Sequence, residues 1–185
     1  VAPLVGLGAA QLYSAEAATP LAERLTPRIR DTAKVLTYIY VSLTLVLAAA
    51  LRAAGMGPFD AANHALTTVA TGGYSTRQGS IAAFDAIDVE LVLVAGMIFS
   101  GTNFALYFQV VRGRFREALT NAEYLAYLTL ILSATAIMTV SLYAFDYQQS
   151  PLTALRLALF QSASLTTGTG FSTADWDSWD PLSQA

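Results

Sequence analysis

The sequence predicts an all-α membrane fold built from a repeated unit of span, short re-entrant helix, glycine–threonine loop and span. Three observations carry that prediction. Apolar residues gather in runs long enough to cross a bilayer, two further apolar runs stop part-way at a glycine-rich loop, and the two loops repeat one another 97 residues apart. Composition agrees. Hydrophobic residues make up 55% of the 185 and charged residues 12%, with a mean hydropathy of +0.49. A soluble domain carries roughly 25% charged residues. Without cysteine there is no disulfide framework and no thiolate metal site, and a single histidine leaves no zinc cluster. A net charge of −3 argues against nucleic acid, which needs concentrated basic surface.

The elements follow in chain order. Val1–Ala10 is apolar but short, begins without Met and lacks a basic lead-in, so it reads as the tail of a helix rather than a signal peptide. Val35–Ala54 is the first span, broken only by Arg52 near its end. Phe59–Ala70 is apolar and helical in pattern but reaches only part-way across a core that takes roughly 20 residues. Val89–Val111, with Glu90 at its edge, is the second span, and Tyr124–Phe145 the third. Pro151–Thr166 is again short. Both short segments run into glycine–threonine loops that cannot continue a helix. Such backbone is tolerated at membrane depth only when it is buried in protein or lines a watery cavity. The chain stops soon after the second loop, so both ends are expected to be truncated.

Orientation follows from the basic residues. Arg24, Arg28, Arg30 and Lys34 precede the first span and Arg112, Arg114 and Arg116 follow the second, seven of the ten Lys and Arg. The positive-inside rule makes that side cytoplasmic. The other side holds eight acids, Asp60, Asp85, Asp88, Glu90, Asp146, Asp175, Asp177 and Asp180, against Arg52, Arg77 and Arg156. A negative mouth concentrates cations, although solvated outer loops can be acidic for no other reason. Trp176 and Trp179 fit an interfacial belt on that outer side.

The repeat is the most specific signal. Thr67–Thr76 (TTVATGGYST) aligns with Ser164–Thr173 (SLTTGTGFST), placing Gly73 on Gly170, Tyr74 on Phe171, Ser75 on Ser172 and Thr76 on Thr173. The same shift lays the short helices and the preceding spans over one another. Residues 1–31 are then the end of a preceding unit and a cytoplasmic linker, 32–112 one complete unit, and 113–185 a second lacking its final span. Repeats of this kind point to a site at their interface.

The loops suit a cation. A dehydrated potassium ion needs oxygen dipoles in place of its water, and backbone carbonyls around a narrow pore supply them. Turning successive carbonyls inward takes backbone angles that glycine reaches without steric cost. The candidate cation-binding residues are Ala70, Thr71, Gly72 and Gly73 in one loop and Thr167, Gly168, Thr169 and Gly170 in the other. Tyr74 and Phe171 are expected to wedge the loops against surrounding helices, and Ser75 and Ser172 to hydrogen-bond back to the backbone.

These residues resemble the Trk/Ktr/HKT superfamily of potassium transporters, and the Trk-type membrane subunit in particular. The stretch FDAANHALTTVATGGYST (Phe59–Thr76) is similar to that branch's second unit, Val89–Arg112 to its inner span, and QSASLTTGTGFSTAD (Gln161–Asp175) to the third. The resemblance implies potassium-channel-like span–pore helix–span repeats, four fused, each with a degenerate filter marked by a glycine before an aromatic. It implies potassium uptake through carbonyl filters facing outward from the plasma membrane, the bacterial inner membrane. Glycine before the aromatic goes with potassium, and serine there with sodium passage. No cofactor other than the transported ion is implied. The partners implied are the lipid bilayer, a second copy in a homodimer and a cytosolic nucleotide-binding regulatory subunit. The second loop departs from the family's plainer Thr-Thr-Ala-Gly by reading Thr-Gly-Thr-Gly.

Other residues have plainer readings. His64 fits a structural hydrogen bond in the first short helix better than a pH sensor. Gly96, Gly101 and Asn103 suit close helix packing. Arg112, Arg114 and Arg116 fit topology better than a docking role, and Arg156 is expected to snorkel to water. Rival functions remain. No Lys follows the glycines and no G-x-S-x-G or HExxH stands in the chain, so catalysis has little support. A re-entrant carrier for another small solute would turn helix N-termini to the centre. A membrane fragment without transport activity is the third possibility.

Overall fold

The computed structural model describes residues 29–144, 150–174 and 179 of the chain. The N-terminal segment, Arg24 and Arg28, Asp146, Asp175, Trp176, Asp177 and Asp180 therefore lie outside the described residues. Helix α1 (Ile29–Ala53) contains the first span and ends at Arg52 in its last turn. At about 1.5 Å per residue its 25 residues exceed a hydrocarbon core of about 30 Å. Gly55 at φ +100 reverses the chain. Helix α2 (Pro58–Val69) then begins with proline, whose missing N–H costs nothing in a first turn, and carries Asp60 there. Its 12 residues cover about 18 Å, well short of a full crossing. Loop 70–79 and a 3-10 turn (Ser80–Phe84) return the chain to α3 (Ile87–Ser100).

The predicted second span is not one straight helix. It consists of α3 and α4 (Phe104–Val111), bent by 90° at Gly101–Asn103. Thr102 Oγ1 turns back to the Ile98 carbonyl at 2.8 Å, Asn103 has the non-helical ψ of 123, and its Oδ1 accepts from Ala105 N at 2.9 Å. A Ser-Gly pair followed by a fresh N-cap is a recognised cause of a kink. A short helix α5 (Phe115–Leu119) leads into α6 (Ala122–Ala144), a continuous span, and α7 (Pro151–Thr166) is the second half-length helix.

Two apolar clusters organise the described residues. The larger joins Leu47 and Leu51 of α1, Ala61, Ala65 and Val69 of α2, and Leu93 and Met97 of α3 to Phe160, Ala163 and Phe171 from the second unit. The smaller packs Met138 and Leu142 of α6 against Ala154, Leu157 and Ala158 of α7. Trp179 joins this second cluster and is buried, so it packs against helices rather than standing in an interfacial belt. Gly96 provides the close approach expected of it. A Cβ there would meet Leu47 Cδ1 at 2.8 Å and Thr68 Cγ2 at 3.3 Å, so α1, α2 and α3 converge at this residue.

Candidate functional site

Both half-length helices end in the same turn. Ala70 N donates to Leu66 O at 3.0 Å, and Thr167 N, 97 residues on, to Ala163 O at 3.0 Å. Thr71 N bonds Thr68 O as Gly168 N bonds Leu165 O, and Gly72 N bonds Thr67 O as Thr169 N bonds Ser164 O. The hydroxyls follow suit. Thr67 Oγ1 donates to the Tyr74 carbonyl at 3.0 Å, and Ser164 Oγ to the Phe171 carbonyl at 2.7 Å. Left-handed backbone recurs at the same places, Thr71 (φ 50) with Gly168 (φ 70), and Gly73 (φ 62) with Gly170 (φ 86). The Thr-Gly-Thr-Gly departure therefore sits where it helps, because Gly168 takes without strain a conformation that a threonine holds in the first loop.

This folding leaves particular atoms free. Among the described residues, the carbonyls of Tyr74 and Phe171 are taken by hydroxyls, whereas those of 70–73 and 167–170 accept no hydrogen bond. Those eight are the sequence-predicted cation ligands. The helix C-termini run directly into them, and their dipoles favour positive charge. The loops also meet. A Cβ on Gly73 would lie 2.0 Å from the Thr169 carbonyl oxygen, so no side chain fits between them. Thr167 and Thr169 share a hydroxyl hydrogen bond of 2.7 Å.

The supporting residues divide. Phe171 is buried within the larger apolar cluster, its ring 5.7 Å from that of His64. Tyr74 is 78% exposed and wedges against nothing among the described residues. The difference has a positional reason, since Phe171 leans on the unit before it and the described residues include no such unit before Tyr74. Ser75 Oγ bonds His64 Nε2 at 3.0 Å and also bonds the backbone, accepting from Arg77 N at 3.2 Å. Ser172 joins the units through its backbone. Its carbonyl accepts from Ile81 N at 3.0 Å and its N donates to Ser80 Oγ at 3.2 Å.

His64 is fully buried, with Nδ1 2.7 Å from the Asp60 carbonyl, which can only accept. Nδ1 is thus the donor and Nε2 accepts from Ser75. Its counterpart 97 residues on is the non-titrating Gln161, in keeping with a structural role. At the N-terminal end of α2, Thr76 donates to Asp60 Oδ1 at 2.7 Å and Arg77 Nη2 lies 3.3 Å from Oδ2. The Thr76 hydroxyl first, and then Arg77, hold the Asp60 carboxyl below its ordinary value. Asn103 bonds Glu123 of α6 from its amide while capping α4. Arg114 pairs with Glu117, and Arg112 stacks over Phe108.

Two relations were not visible in sequence. Arg156 does not snorkel free. Its Nε stands 3.2 Å from Oε2 of Glu90, a carboxylate 6% exposed on α3. Gly101, at the kink, has Thr167 Cγ2 3.0 Å from where its Cβ would stand. The available hint was an acidic residue, Glu90, in one apolar helix and a lone basic residue, Arg156, in another.

Comparison with known proteins agrees with this architecture. A family model described as "TrkH: Cation transport protein" matches residues 1–185. A protein of Halomonas elongata named "Trk system potassium uptake protein TrkH" is 41% identical over 182 residues, 97% of this chain and 37% of its own. The like-named protein of Salmonella typhimurium is 36% identical over 181 residues, again 97% of this chain and 38% of its own. The crystal structure of the potassium transporter TrkH from Vibrio parahaemolyticus superposes with a TM-score of 0.78 at 36% identity, covering 84% of this chain and 34% of that one. The chain thus spans a little over a third of the length of the relatives it matches.

Proposed function

The chain belongs to the TrkH cation transport protein family, and from that premise we propose that it forms part of a plasma-membrane pathway for potassium uptake. The two glycine–threonine loops serve as two walls of the selectivity filter. The observation that carries this reading is the set of eight carbonyls at 70–73 and 167–170 that accept no hydrogen bond among the described residues, each set placed at the C-terminal end of a half-length helix. Potassium is the substrate. It exchanges water for peptide oxygens of fixed position, while a smaller cation is coordinated less well by the same cage.

The membrane setting is supported by α1 and α6, long and apolar enough to cross, and by the kinked pair α3–α4. Residues 32–112 serve as one complete unit and 113–185 as the larger part of the next, with 1–31 linking to a preceding one. The bias of Lys and Arg towards the ends of α1 and α4 supports an outward-facing filter in a bacterial inner membrane. A homodimer and a cytosolic nucleotide-binding regulatory subunit follow from the resemblance. The carrier alternative needs helix N-termini at the loops, and α2 and α7 present C-termini there.

The test is growth on low potassium of a strain lacking its own uptake systems, supplied with the complete protein. Rescue is expected, and failure despite correct membrane insertion overturns the reading. Gly73→Ser in the same background should raise sodium passage relative to potassium, since any side chain there must displace the Thr169 carbonyl.

A further inference from the structure

Helix α7 lies against α3 through two contacts with one spacing. Arg156 meets Glu90, and Thr167 meets Gly101. Each pair of positions is eleven residues apart on its own helix, three turns and therefore one face. The helices thus run parallel and in register, with an ion pair near their outer ends and a glycine contact at the base of the second filter loop. Glu90 is 94% buried with Arg156 as its charged partner, in a helix otherwise apolar from Leu91 to Phe99. Burying a carboxylate is costly unless a partner compensates it. A sliding step of α7 along α3 would separate the charges while apolar contacts could re-form, so the pair selects one register where packing alone tolerates several.

Building on the potassium reading, we infer that Glu90 and Arg156 are positioning residues of the filter: their ion pair sets the axial height of α7 and with it the carbonyls of 167–170. Neither side chain touches the ion. The pair acts through Thr167, which opens the loop and is seated on Gly101, and through its hydroxyl bond to Thr169. Because Thr169 abuts Gly73, a shift of α7 also changes the spacing between the two loops.

The experiment uses the complete protein with Glu90→Gln, Arg156→Gln, the double variant and Arg156→Lys, reading rubidium and sodium uptake per inserted molecule. Each glutamine variant is expected to lose rubidium-over-sodium preference several-fold. The double should lose no more than the worse single, as a coupled pair requires, and Arg156→Lys should keep most of the preference. Wild-type preference in the single variants overturns the inference, as does additive loss in the double. Failure of every variant, lysine included, to insert also overturns it, by making the pair a folding element alone. If the wild type itself takes up no rubidium, the potassium reading fails instead, and the two failures are distinguishable.

Discussion

At the scale of single residues, glycine is required for two different reasons. Gly73 and Gly170 both have left-handed backbone, but Gly73 is crowded, while a Cβ on Gly170 would meet nothing within 4 Å among the described residues. Gly170→Ala should therefore cost only backbone strain, about 1–2 kcal/mol, and Gly73→Ala clearly more. Thermal unfolding of the detergent-solubilised protein checks the order, and equal losses would contradict the contact between loops. Asp60 offers a second prediction. Its carboxyl is held below the ordinary aspartate value, so the link to Thr76 and Arg77 is fully present above that value and is lost as pH falls through the depressed one. The stability difference between wild type and Asp60→Asn should be constant around neutrality and shrink only in strong acid.

At the scale of elements, helix length decides role. Helices α2 and α7 are too short to cross, and each ends by delivering a loop whose carbonyls are unbonded among the described residues. The kink between α3 and α4 is decided by capping. Asn103 both starts α4 and reaches Glu123 on α6, and Tyr127 of α6 donates to the Ile98 carbonyl at 3.1 Å. Asn103→Ala should cost about 0.5–2 kcal/mol and loosen α4. Hydrogen exchange or limited proteolysis near residues 103–114 reads that loosening, and unchanged protection there would assign the bend to other contacts.

At the scale of the molecule, the two units are held by backbone and charge as well as apolar packing. Phe160, Ala163 and Phe171 join the apolar cluster of α1, α2 and α3, and Ser172 bonds the 3-10 turn Ser80–Phe84. The chain has no cysteine, so a pair placed at Ser80 and Ser172 is reported by its own cross-link. Oxidation should hold the units together after cleavage in the 112–121 connection, given the close approach that a disulfide needs. Separation of the fragments under oxidising conditions would contradict the close approach of Ser172 to Ser80.

Sequence alone determined the class, the half-length helices and the 97-residue repeat. These rest on local quantities, namely run length, periodicity and glycine placement, which are properties of neighbouring residues. The ends of α2, α6 and α7 fall within two residues of expectation for that reason, while α1 ends one residue early and begins six residues before the expected Val35. Tertiary structure decided what depends on distant partners. Val89–Val111 is apolar throughout and reads as straight, yet the amide of Asn103 finds Glu123 and the helix turns by 90°. Arg156 reads as a snorkelling side chain until Glu90, 66 residues earlier, is seen beside it. Tyr74 and Phe171 are equivalent in pattern and opposite in burial, because burial depends on which unit stands alongside and not on the residue's own spacing.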